Sequence, residues 1–134
     1  MTAERSMQPP QVGKTILIVE DNPVNQKLFL VVLRRHGYRL LTAVDGEEAL
    51  AVATREIPDL ILMDLQLPKL NGYSVTQRLK GSPETAKIPV VALTAHAIKD
   101  DLAQDSCFAD FITKPIDTRA FPGQIQSIFE RQRA

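Results

Sequence analysis

Apolar residues fall along this chain in bursts of two kinds. Three are near-continuous runs of strand length: "TILIV" (15–19), "DLILMD" (59–64) and "VVALT" (90–94). Continuous rather than alternating runs suit strands buried on both faces, as in a parallel sheet covered by helices. Two weaker runs, "RLLTAV" (39–44) and "DFIT" (110–113), follow the same logic. Between the runs the apolar spacing becomes helical. Asn22 and Pro23 form a cap and first-turn pair. Val24, Leu28, Val31 and Val32 then recur at helical spacing, and Gly37 stops the helix. Asp45 and Glu48 make an acidic variant of a capping box ahead of Ala49, Leu50 and Ala53. Gly72 opens a segment carrying Val75 and Leu79, and Phe121, Ile125, Ile128 and Phe129 mark one face of a last helix.

Strand and helix thus alternate five times with short connections. Such alternation implies an α/β fold with right-handed crossovers. There is no internal repeat and no linker long enough to separate a pair of domains. The reading is a polar, flexible N-terminal arm over residues 1–13 and one domain over 14–131.

Composition narrows the function classes. The 134 residues hold 16 basic and 16 acidic side chains, a formal net charge of zero. A dedicated nucleic-acid binder usually carries a strong basic excess, so no direct nucleic-acid contact is expected. The local cluster Arg34, Arg35, His36 and Arg39 reads as a solvated helix end, where cations are favoured. One cysteine, Cys107, forbids an internal disulfide and fits a reducing compartment. No apolar run approaches the ~20 residues needed to span a bilayer. The first fourteen residues lack the apolar core of a signal peptide. The expected location is the cytoplasm, without membrane insertion.

The chemistry sits at the strand ends. In a parallel sheet these ends share one rim, where α/β proteins bind ligands. Reading off the last residues gives Glu20 and Asp21, then Asp64, Thr94 and Lys114. Crowded carboxylates raise one another's pKa unless a cation neutralises them. A hard divalent ion with oxygen ligands, such as Mg²⁺, does so. A carboxylate can also act as a nucleophile and form an acyl phosphate. Phosphoryl transfer then needs mainly positioning and charge stabilisation, which a metal ion, Lys114 and the Thr94 hydroxyl can supply.

Four blocks, "VEDN" (19–22), "DLILMDLQLPKLNG" (59–72), "VVALTA" (90–95) and "ITKPI" (112–116), resemble the signature blocks of response-regulator receiver domains. The separations are similar too: 43 residues from Asp21 to Asp64 and 30 from Asp64 to Thr94. The resemblance covers roughly residues 14–131. It implies the flavodoxin-like doubly wound sheet of five parallel strands in order 2-1-3-4-5, with five helices. It further implies that Asp64 is the phosphoacceptor and that Glu20, Asp21, Asp64 and the backbone carbonyl of Gln66 hold Mg²⁺ (or Mn²⁺). Asp21 would bind the metal directly and Glu20 through water. Lys114 would bind a phosphoryl oxygen, Thr94 would hydrogen-bond one and move on activation, and the backbone N–H of Ala95 would lie nearby. Gln66 and His96 would tune the dephosphorylation rate. The Lys114–Pro115 peptide would be cis. Phe111 stands where the family carries its switch aromatic, often Tyr; it is either that switch or a core phenylalanine.

The chain departs from the family in two places. Only 20 residues separate Thr94 from Lys114, about two fewer than is usual. The helix between the fourth and fifth strands should therefore be short or distorted, with Cys107 where a glycine normally ends it. "FPGQ" (121–124) puts Pro122 early in the last helix, which predicts a broken first turn and a regular helix starting near Pro122. The resemblance implies a single-domain response regulator of the chemotaxis or cell-cycle type. It would take its phosphoryl group from a histidine kinase or histidine phosphotransfer protein and signal to a downstream protein target, as a monomer or weak dimer. It would be no enzyme beyond catalysing its own phosphorylation and dephosphorylation. The alternatives are a receiver excised from a hybrid histidine kinase and a non-phosphorylated pseudo-receiver scaffold.

Overall fold

A computed structural model describes residues 13–67, 72–94 and 107–133. Five strands and four helices occur among these residues. They run β1 (Thr15–Val19), α1 (Pro23–Arg34), β2 (Arg39–Ala43), α2 (Gly46–Glu56), β3 (Leu60–Asp64), α3 (Gly72–Lys80), β4 (Val90–Thr94), β5 (Asp110–Thr113) and α4 (Phe121–Arg133). The helix expected between β4 and β5, with its predicted distortion, falls on residues 95–106, outside the described residues.

The strands form one sheet in the order β2-β1-β3-β4-β5, and every pair is parallel. Register follows from burial on both faces. Leu17, Val19, Ile61, Met63, Val90 and Ala92 point to one side and pack with Ala49, Val52 and Ala53 of α2 and Val75 and Leu79 of α3. Ile16, Ile18, Leu60, Leu62, Val91 and Leu93 point to the other, against Phe29 and Leu33 of α1 and Phe121, Ile125, Ile128 and Phe129 of α4. Alternate residues of each strand thus serve opposite layers, which is why the central runs are continuously apolar. Phe29 and Phe121 join the two helices of one layer, ring centroids 5.5 Å apart.

The element ends follow local chemistry. The Asn22 side chain accepts from the N–H groups of Val24 at 2.8 Å and Asn25 at 3.1 Å, capping α1. Asp45 accepts from Glu48 N–H at 2.8 Å to open α2. Glu48 reaches back to Val44 N–H at 2.7 Å, one residue earlier than a standard capping box would have it. Asp117 Oδ1 holds the N–H groups of Arg119 and Ala120 in a turn, and regular helix begins at Phe121. Pro122 then falls in the first turn, where a missing N–H breaks no helical bond.

The predicted face of α1 is split: Val32 packs against the core, but Val24, Leu28 and Val31 turn outward. They are 75%, 39% and 44% exposed, and the helix anchors instead through Phe29 and Leu33.

Candidate functional site

The C-terminal ends of four strands bring the candidate residues to the same rim. Asp64 closes β3 and lies in register with Leu93, which sets Thr94 on the neighbouring strand just beyond it. Thr94 pairs with Thr113, so Lys114 follows immediately on β5. Lys114 N–H donates to the Thr94 carbonyl at 2.7 Å, and the Lys114–Pro115 peptide is cis. Glu20 N–H donates to the Ala43 carbonyl at 3.0 Å, extending the sheet one residue past β1. Parallel pairing therefore gathers Glu20, Asp21, Asp64, Thr94 and Lys114 from four strands.

Glu20 is 1% exposed and Asp64 is buried, whereas Asp21 faces solvent. One carboxylate oxygen from each lies within 4.8 Å of the other two. Lys114 Nζ donates to Asp64 Oδ2 at 2.9 Å and stands 3.5 Å from Glu20 Oε1. Two buried carboxyl groups thus share one half-buried ammonium. Asp21 adds a third acid, so acids outnumber the cation three to one.

Burial, and next the charge of Asp64, pushes Glu20 above its ordinary value; Lys114 and the Asn22 N–H oppose this. For Lys114 burial alone would favour the neutral amine. The Asp64 and Glu20 carboxylates outweigh it and raise the pKa. Three carboxylates at this separation, all oxygen donors, fit a hard divalent ion and suit Mg²⁺ better than a softer metal.

Backbone fixes the surroundings of Asp64. Gln66 N–H donates to Asp64 Oδ1 at 2.9 Å, which turns the β3–α3 loop around the carboxylate. A Cβ on Gly72 would lie 2.4 Å from the Asp64 carbonyl oxygen and 2.9 Å from Met63 Cγ. Only glycine lets α3 begin this close to the strand that carries Asp64. Phe111 is half-buried, with its ring edge-on to Phe108 at 5.3 Å. Phe108 lies 6.1 Å from Tyr73, so three rings run from α3 to β5. Ala95 and His96 lie outside the described residues.

One contributor escapes pattern reading. Gln26 Nε2 on α1 donates to the Glu20 carbonyl at 3.2 Å. Glutamine early in a helix reads as an ordinary solvent-facing residue, and its acceptor is a backbone atom that no side-chain motif marks.

A parallel 2-1-3-4-5 sheet with an acid triad and a lysine on its rim defines a class of signalling domain. The chain belongs to the response regulator receiver domain family of two-component signalling, which it matches over residues 16–126. It is 44% identical over 117 residues to the polar-differentiation response regulator DivK of Brucella anthropi, covering 85% of this chain and 94% of that one. It also resembles the receiver domain of sensor histidine kinase PA1611 from Pseudomonas aeruginosa PAO1, at 38% identity and a TM-score of 0.76, with 90% of this chain and 98% of that one covered. That structure has a magnesium ion coordinated in its active-site cleft. A signal receiver domain of a histidine kinase from Syntrophus aciditrophicus matches at 31% identity and a TM-score of 0.79, over 89% and 92% of the two chains. Among the described residues no helix is long and apolar enough to cross a membrane.

Proposed function

We propose that Asp64 accepts a phosphoryl group from a phosphohistidine donor in a Mg²⁺-dependent reaction, and that the chain signals by phosphorylation-dependent protein binding. The observation that carries this reading is the Lys114 ammonium 2.9 Å from the buried Asp64 carboxylate, with two further acids beside it on an open rim. An Asp64 oxygen attacks phosphorus, the donor's P–N bond breaks, and the imidazole regains a neutral nitrogen. Lys114 swings its charge from the carboxylate to a phosphoryl oxygen. The Thr94 hydroxyl and the Ala95 N–H take up others.

Glu20, Asp21, Asp64 and the Gln66 carbonyl would hold the Mg²⁺ (or Mn²⁺), which supplies charge neutralisation for the incoming phosphoryl group. Gln66 and His96 would border the acceptor and set how fast water removes the phosphoryl group. Phe111, inside the ring row with Phe108 and Tyr73, would repack when Thr94 moves.

The donor, a histidine kinase or histidine phosphotransfer protein, has a surface to bind. The exposed stripe Val24, Leu28 and Val31 starts three residues after Asp21 and runs down α1. Beside it a groove of about 660 Å³ between α1 and α4 is lined by Leu28, Val31, Val32, Arg35, Arg119 and Pro122. Apolar surface rimmed by cations suits a helix with an apolar face and acidic flanks.

The reading extends to a DivK-like regulator acting in the cytoplasm through a protein target, as a monomer or weak dimer. Its only chemistry would be its own phosphorylation and dephosphorylation. The test is intact mass after incubation with Mg²⁺ and a small acyl phosphate. One added phosphoryl group, absent in Asp64→Asn and without Mg²⁺, is the expected result. No addition with any donor would overturn the reading in favour of a binding scaffold.

A further inference from the structure

The peptide that joins Glu20 to Asp21 decides where both acids point. One side chain goes inward, to 1% exposure, and the next goes out to solvent. That peptide lies beyond the end of β1. Its own carbonyl, on Glu20, accepts from the Gln26 side-chain amide at 3.2 Å. Gln26 is itself tied into the helix: its N–H makes the first helical bond of α1, to the Asn22 carbonyl at 2.9 Å. Asn22 in turn donates its N–H to Glu20 Oε2 at 3.3 Å while its side chain caps the helix. The first turns of α1 therefore grip Glu20 at both its carboxylate and its carbonyl.

We propose that Gln26 is a positioning residue for divalent-metal binding: its amide fixes the Glu20–Asp21 peptide so that both carboxylates converge with Asp64. A preset geometry lowers the ordering cost of taking up the ion, and loss of the amide leaves the peptide to rotate. Gln26 touches neither the metal nor the acceptor, so its removal should change affinity and leave the donor atoms in place. The inference rests on the metal-dependent reading above.

The test is a Mn²⁺ titration of the full chain, followed by the electron paramagnetic resonance of free Mn²⁺, for the parent, Gln26→Met and Gln26→Leu. Both variants keep the volume and lose the donor, so either suffices if the other fails to fold. A single neutral hydrogen bond predicts a Kd weakened by about three- to tenfold. Two further readouts separate positioning from simple helix stabilisation. The Asp21 amide ¹⁵N, which belongs to the gripped peptide, should shift in metal-free spectra. The metal-free Tm should move by no more than about 2 °C. A variant Kd within about twofold of the parent's would overturn the inference and leave the metal-dependent reading standing. A parent chain that binds no Mn²⁺ would sink that reading and the inference with it.

Discussion

Glu20 bears the electrostatic cost of the rim. Its folded pKa is raised above the ordinary 4.5, first by burial and then by Asp64. A raised acid holds its proton longer in the folded chain than in the unfolded one, so folding is favoured while the group is protonated. That stability is full below about pH 4.5 and is lost as pH rises through the raised value. Lys114 acts at the other end of the scale. Its raised pKa adds stability that is full below 10.5 and is lost only as pH climbs past the folded value. In metal-free buffer Glu20→Gln should therefore raise the Tm at pH 7 by about 2–5 °C and flatten the loss of stability above pH 4.5. The same variant should lose most of the stabilisation that Mg²⁺ brings to the parent. Thermal melts by circular dichroism across pH, with chelator or Mg²⁺, measure both effects. The positions of Glu20, Asp64 and Lys114 were readable because strand ends are marked by the stop of an apolar run. The grip of Gln26 was not, since it depends on how α1 folds back over β1.

The elements themselves were largely legible. β1, β4 and β5 match the apolar runs residue for residue, and the caps of α1 and α2 stand at Asn22 and Asp45. Periodicity identified a face of α1 at Val24, Leu28, Val31 and Val32, of which only Val32 turns to the core. Phe29 and Leu33, with larger or better-placed side chains, took the core side. Gly72 is the element-scale residue with the sharpest consequence. A methyl group there would press on the Asp64 carbonyl at 2.4 Å, and backbone cannot yield as a side-chain tip can. Gly72→Ala should cost about 1–3 kcal/mol, read from urea unfolding, as over-packing does. It should also slow phosphorylation by small donors, because the displaced atom belongs to Asp64, the proposed acceptor.

At the scale of the molecule, topology brings acids from sequence positions 20, 21 and 64 within 4.8 Å and sets a lysine from 114 among them. The outward stripe on α1 belongs to this scale too, since its proposed role as a docking surface depends on its lying next to that rim. Leu28→Glu should lower phosphotransfer from a phosphohistidine protein by about tenfold or more, as loss of a central apolar anchor does. Phosphorylation by a small acyl phosphate should stay within about twofold, because that donor needs no docking face. A matched pair of transfer assays separates the two. Equal losses with both donors would place the effect in the acceptor site instead.

The order of apolar runs, the caps and the identity of the rim residues were determined by the amino-acid sequence, because burial on both faces of a parallel sheet writes a continuous apolar signal. Family resemblance extended this to strand order and to the roles expected of each residue. Only the tertiary structure decided the rest. It set the inward and outward sides of α1, the contact that admits no side chain at Gly72, the carbonyl held by Gln26, and the ammonium 2.9 Å from Asp64. Each of these depends on how one element packs on another, whether the residues are six apart, as Gln26 and Glu20 are, or fifty, as Asp64 and Lys114 are. Hydrophobic patterning marks where an apolar face runs, and carries no record of which neighbour each residue meets.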